Sequence, residues 1–323
     1  MLANPQQEQM AAEELRALQL ARLQRTVAWA YEKSGFYKRK FDAAGVGPED
    51  IRSLDDVTRL PFTTMRELEQ GSSLDLLTLP FSALSRISMW EQPKPVLQMY
   101  TARDIACNVE MLARAMAAAG IHRGSIVGVL GDLADSGLAD MQSALQLLGA
   151  TVVPLSTDYE RAIQLLEATR FDLMVGTGRL ILRFVIQMQA VGKEITDYHL
   201  SKIFCLNENL QNPLRTHMKN RTGAQIYTYF ASPILGSAGI FYQCDEHVGQ
   251  HIQEDYYYPE VAAYGREEIL SDTNCMGELV LTTLMAEAMP IIRFRTGQTV
   301  MRVDGDCACG RTFMRVTTPY GSV

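Results

Sequence analysis

The sequence contains no uninterrupted apolar run near the roughly 18 residues of a membrane-spanning helix, so no span is expected. Its N-terminus, MLANPQQEQMAAEEL, lacks the basic-then-apolar order of a secretory leader, and the chain reads as cytoplasmic. There is no dense basic stripe, and the net charge of −7 argues against general nucleic-acid binding. Cysteines number only six in 323 residues, which does not suggest a disulfide framework. No internal repeat is visible, and no linker is long enough to mark independent domains. There is no Gly-x-Ser-x-Gly element and no paired Cys/His nucleophile. The glycines of GVLGDLADSG (128–137) lack the spacing of a dinucleotide fingerprint.

What is present is ordinary for a globular chain: 47% hydrophobic and 21% charged residues. A chain this long buries enough surface to need no disulfide staples. Leu15, Leu18, Val27 and Tyr31 fall near helical spacing between Met10 and Lys33. Thr101 is a helix N-cap with Asp104 three residues on, and the helix runs through MLARAMAAA to a stop at Gly120. From Ser125 the pattern alternates. SIVGVLG, TVVPL, DLMVG, KIFCL and QIYTYF read as strands, separated by helical GLADMQSALQLLG, RAIQLLEAT, RLILRFVIQMQAVG and LQNPLRTHMKNRTG. Strands alternating with helices call for an α/β fold with a parallel, doubly wound sheet, and ligand crevices at the strands' C-terminal ends. Beyond about Ser237, short strands broken by Gly, Asp and Pro predict a β-rich lobe, with a small barrel as one form. The expected divisions are 1–124, helical with the start of the α/β domain, then 125–236, doubly wound, then 237–323, β-rich.

Cys307 and Cys309, one residue apart beside turn glycines, look more like metal ligands than disulfide halves. Cys244 and His251, separated by six residues across Gly249, would complete a Cys₃His set. Such a set is tetrahedral and closed, as in structural zinc sites, and carries no catalysis. The alternative is reduced thiols in a turn beside an ordinary histidine, and His247 is the rival ligand. His122, His199 and His217 are isolated and read as surface or capping residues. Arg86, Arg293 and Arg295 could hold an anion, although pairing with a carboxylate is the commoner arrangement.

The stretch GELVLTTLMAEAMPIIRFRTGQ (277–298) resembles a block of the phenylacetate–CoA ligase family, within the adenylate-forming enzymes, that reads like GELVFTTLTKEAMPIIRYRTRD. YEKSGFYKRKFDAAGVGPEDIRSLDDVTRLPFTTMREL (31–68), CDEHVGQHIQEDYYYPE (244–260) and CACGRT (307–312) are similar to further family segments. The resemblance implies the large N-terminal domain of the adenylate-forming fold. It implies activation of an aromatic or other carboxylic acid with ATP, then transfer to CoA. It also implies zinc at the cysteines, with His251 rather than His247 as ligand.

The sequence departs from that family where nucleotide is held. The family's phosphate loop reads like SSGTTGKP, and the equivalent here is SMWEQPKP (88–95). Residues 89–95 contain no Gly, Ser or Thr, Pro93 and Pro95 remove N–H donors, and Glu91 adds a negative charge. Lys94 reads as a surface lysine. YFASP (229–233) stands where the family reads like YGLSE, so Pro233 replaces a carboxylate that aids the metal. The family's GAEP is lost within CLNEN (205–209), and Gln298 stands in place of the ribose-holding aspartate. The chain stops at RVTTPYGSV, about where the hinge to the family's C-terminal lid would begin, so the lid is expected to be absent.

ATP and Mg²⁺ are therefore not expected as cofactors, no catalytic residue is assigned, and the leading reading is a degenerate family member, a pseudoenzyme. It would be a non-catalytic partner, as a homodimer or in a heteromer with an active ligase or pathway enzyme, or a repurposed binder of an aryl or acyl compound. The expected pocket involves Tyr229, Phe230, Ser232, Gly236 and Ala238, where small residues leave room for a ring unless Phe230 and Phe241 fill it. Two other classes stay open: an atypical lid-less enzyme adenylating an aromatic acid, and an ATP-independent enzyme acting on an acyl compound.

Overall fold

A computed structural model describes residues 1–90, 96–132, 136–206, 212–271 and 275–317. In chain order the helices are α1 (Pro5–Glu8), α2 (Ala12–Lys33), α3 (Gly35–Ala44), α4 (Met65–Gln70), α5 (Ser73–Leu76), α6 (Ala102–Ala118), α7 (Ser136–Leu147), α8 (Tyr159–Thr169), α9 (Gly178–Ala190) and α10 (Asn212–Thr222). The strands are β1 (Arg86–Trp90), β2 (Val96–Tyr100), β3 (Ile126–Leu130), β4 (Thr151–Leu155), β5 (Leu173–Gly176), β6 (Lys202–Leu206), β7 (Gln225–Ser232), β8 (Ser237–Tyr242), β9 (Gln250–Ile252), β10 (Tyr257–Ala262), β11 (Met276–Thr283), β12 (Phe294–Val303) and β13 (Arg315–Thr317). They fall into two compact units.

The first unit comprises Met1–Ala3, Asn108–Ser232 and Ser237–Val248. Its strands lie in the order β8-β7-β6-β5-β3-β4. The five strands β3 to β7 pair in parallel, joined by the helices between them, as the alternation predicts. β8 then returns antiparallel along β7, with a register shift between Phe230 and Ala231. The apolar faces of α8 and α9 close over the sheet through Leu166, Phe184 and Met188, which meet Phe171, Met174 and Ile203 in one buried cluster. Gly128 in β3 permits that packing. A Cβ there would meet the Phe171 ring at 2.6 Å.

The second unit comprises Asn4–Cys107, Pro233–Gly236 and the described residues from Gly249 onward. Five strands form an antiparallel ladder in the order β10-β11-β12-β13-β9, while β1 and β2 make a separate hairpin sheet. Among the described residues the ladder is linear rather than closed, which corrects the small-barrel expectation. Between β9 and β10 the chain turns, with the N–H groups of Tyr256 and Tyr257 both donating to the Gln253 carbonyl. Helices α2 and α3 dock on the β11–β12 connection: Trp29 Nε1 donates to the Glu287 carbonyl at 3.1 Å, and the Ile292 N–H donates to the Tyr37 oxygen at 2.8 Å. Among the described residues no helix is long and apolar enough to cross a membrane.

Candidate metal centre

His251 occupies the middle of β9, opposite Arg315 of β13, and is fully buried. The Phe313 carbonyl lies 3.3 Å from its Nδ1. A carbonyl only accepts, so Nδ1 carries the proton and Nε2 keeps the lone pair that a metal would need. Nε2 lies 3.4 Å from Cys309 Sγ. Cys307 and Cys309 follow β12 in a turn closed by the Gly310 N–H donating to the Cys307 carbonyl at 2.9 Å. Gly310 stands at φ +81°, a conformation that favours glycine. The donor atoms of His251, Cys307 and Cys309 all lie within 4.8 Å of one another. Metal–ligand bonds of about 2.0–2.3 Å place tetrahedral donors about 3.4–3.8 Å apart, so the imidazole and thiolates are compatible with a zinc-like ion in chemistry and spacing.

Cys244 belongs to the first unit, just past β8, and is buried. Its neighbour Asp245 is held by Tyr227, whose hydroxyl donates at 2.5 Å, and by Lys202 at 3.0 Å. Burial works against the Asp245 carboxylate, yet these bonds outweigh it and hold the group below its ordinary range. Burial and the Asp245 partner push the Tyr227 phenol well above its own range. The rival ligand His247 lies against the Tyr227 ring, 4.8 Å between centroids, and burial pushes its imidazole down.

The expected pocket residues have diverse places. Tyr229 is fully buried in the first unit, its ring 5.9 Å from that of Phe204 and its hydroxyl 3.5 Å from the Ala115 carbonyl. Ser232 pairs with Ser237 at the β7–β8 turn, and Ala231 with Ala238. The side chains of Phe230 and Ala238 lie outside the described residues, and Gly236 belongs to the second unit. A Cβ at Gly239 would meet Leu112 at 3.2 Å, so packing rather than open space surrounds that glycine.

Of the nucleotide positions, Glu91–Pro95 and Asn207–Asn209 lie outside the described residues. Gln298 sits in β12, its N–H donating to Thr296 Oγ1 at 3.1 Å, while its buried side-chain oxygen has no hydrogen-bond partner among the described residues. Of the three candidate arginines, Arg86 lies over the Tyr100 ring at 4.8 Å, and the other two are committed to carboxylates. Arg293 pairs with Glu260 at 2.8 Å, both side chains almost wholly buried, and Arg295 pairs with Glu278 at 2.7 Å. The sequence reading missed two buried groups. The Glu254 carboxyl is pushed up to about 7 by burial. Glu8 forms a buried ion pair with Arg311, whose one signal was its place inside CACGRT.

No family model matches the sequence. The phenylacetate–coenzyme A ligase of Thermus thermophilus is 32% identical over 322 residues, spanning 98% of this chain and 72% of that protein. The enzyme of the same name from Aromatoleum evansii is 34% identical over 296 residues, spanning 90% of this chain and 67% of that protein. Among solved structures, a 2-hydroxyisobutyryl-CoA ligase superposes with a TM-score of 0.88 at 21% identity, over 97% of this chain and 69% of its own. A long-chain-fatty-acid–CoA ligase from Archaeoglobus fulgidus superposes with a TM-score of 0.55 at 13% identity, over 72% of this chain and 50% of its own.

Proposed function

Because the chain belongs to the phenylacetate–coenzyme A ligase family and has the N-terminal-domain fold of the adenylate-forming enzymes, we propose that it is a degenerate member without ATP-dependent adenylation. The observation that carries this reading is the joint replacement of two carboxylates. Pro233 offers no oxygen in its side chain, whereas Mg²⁺ is held by carboxylate or phosphate oxygens. Gln298 offers one neutral acceptor where a carboxylate would accept twice and bring charge. The residues present do not fit the metal–nucleotide pair, and no step is derived through it. The composition of Glu91–Pro95 supports the same reading, because a phosphate cradle needs N–H donors that prolines lack.

In this reading the protein is a cytoplasmic, non-catalytic partner, a homodimer or a heteromer with an active ligase, or a repurposed binder of an aryl or acyl compound. His251, Cys307 and Cys309 hold a structural zinc in the second unit. Zinc there supplies a crosslink between β9 and the turn after β12. The likeness to acid–CoA ligases along most of the chain favours a second reading, an atypical enzyme that still adenylates an aromatic acid. Calorimetry with Mg-ATP at millimolar concentration, together with acid-dependent ATP–pyrophosphate exchange, separates the two. The expected result is neither binding nor exchange. Saturable single-site binding would overturn the degenerate reading.

A further inference from the structure

We infer that the N-terminal segment Asn4–Met10 is the outer clamp of the metal centre, with Glu8 as its positioning residue, so that metal retention and docking of this segment form one linked equilibrium. This rests on the zinc reading given above. Glu8 and Arg311 are sealed from solvent, at 0% and 1% side-chain exposure, and Arg311 Nε donates to Glu8 Oε2 at 2.6 Å. The second carboxylate oxygen accepts from the Asn4 N–H at 2.7 Å. Losing one partner of a buried pair strands a charge in a poor solvent, so this contact is strongly two-state.

Arg311 stands two positions after Cys309, and the residues around it are bound as closely. Gln9 Nε2 donates to the Gly310 carbonyl at 3.1 Å. The Thr312 N–H donates to the Glu8 carbonyl at 3.1 Å, and its hydroxyl donates to the Met10 carbonyl at 2.8 Å. Met10 and Leu15 pack with Phe313 in a small buried cluster, and the Phe313 carbonyl is the group that faces His251 Nδ1. Two threads therefore run from the segment to the ligands: one through Arg311 and Gly310 to Cys309, the other through Phe313 to His251.

The physical consequence follows from the shortness of the cysteine turn. The Gly310 N–H bond to the Cys307 carbonyl shapes this Cys-Ala-Cys-Gly turn from within. The clamp fixes the turn from outside and removes part of its entropy before binding, which slows metal loss. Reciprocity of linked equilibria requires that the metal in turn stabilise the docked segment.

The test uses the full-length, zinc-loaded protein and follows zinc release into a chromophoric chelator, 4-(2-pyridylazo)resorcinol. Glu8→Gln should release zinc about tenfold faster or more. Gln9→Ala, an exposed and milder change that serves if Glu8→Gln does not fold, should release it about threefold faster. Glu260→Gln breaks another buried pair of the same unit, Arg293–Glu260, and should leave the release rate near native. In the native protein, removing zinc should raise amide exchange about tenfold or more at Glu8, Met10 and Thr312. Native release rates in both clamp variants, equal acceleration in Glu8→Gln and Glu260→Gln, or unchanged protection after zinc removal would overturn the inference. Protein that neither carries nor takes up zinc would overturn the zinc assignment and this inference together. Zinc bound but insensitive to the clamp would overturn the inference alone.

Discussion

Glu254 shows how one residue can escape notice in a sequence and still shape pH behaviour. Burial raises its carboxyl from an ordinary 4.5 to about 7, against the Met314 N–H and Arg302, which favour the charged form. A carboxyl whose folded value lies above its unfolded value binds a proton more tightly in the native state. Its stabilising contribution is full below the unfolded value and is lost as pH rises through about 7. Glu254→Gln should therefore flatten the part of the Tm–pH curve that falls between about pH 5 and pH 8, leaving the variant relatively more stable at the alkaline end. A native-minus-variant difference that stays constant across that range would exclude this role. Local spacing carried no hint of it, because the effect comes from how far the carboxyl is removed from water.

At the scale of elements, Asp104 was half legible. Its place three residues after Thr101 suggested a helix cap, and the two do exchange bonds: the Thr101 N–H donates to Asp104 at 2.9 Å, and the Asp104 N–H donates to Thr101 Oγ1 at 3.1 Å. The same carboxylate also accepts from the N–H groups of Glu287 at 2.8 Å and Ala288 at 3.2 Å, tying the start of α6 to the β11–β12 connection. Pairing across such a sequence separation cannot be read from a cap motif. Asp104→Ala should cost about 2–3 kcal/mol in denaturant unfolding, with Asp104→Asn recovering part of it. A loss below about 0.5 kcal/mol would show that water replaces the carboxylate without penalty. Tyr229 illustrates the opposite difficulty. QIYTYF is a strand, but its apolar residues fall on both alternating sets of positions, so alternation cannot say which face meets a helix and which meets a crevice. Packing with Phe204 and an approach to the Ala115 carbonyl decided the place of that ring.

For the molecule as a whole, the zinc reading makes the end of the antiparallel ladder depend on one ion. Cys309→Ser should lower zinc content and thermal stability together, by about 5–10 °C in Tm. Cys107→Ser removes a half-buried thiol outside the proposed ligand set and should change neither by much. Elemental analysis of chelator-free protein checks the first half, and thermal melts the second. Under a tenth of a zinc per chain in the native protein would return the Cys-Ala-Cys turn to a pair of reduced thiols.

Local patterning by itself determined the alternating half of this protein. Each strand from Ile126 to Ser232 is a short apolar run bounded by helix signals, and connections of that length force parallel pairing. The family was legible from contiguous blocks such as GELVLTTLMAEAMPIIRFRTGQ, because their residues stand side by side in the chain. Only the tertiary structure decided that the antiparallel strands form an open ladder, that Arg293 and Arg295 are taken by Glu260 and Glu278, and that Glu8 seals against Arg311. Those outcomes depend on which distant groups share a low-dielectric interior, where a charge must find its partner. Sequence spacing specifies local geometry, and it holds no record of that partner until the chain has closed around it.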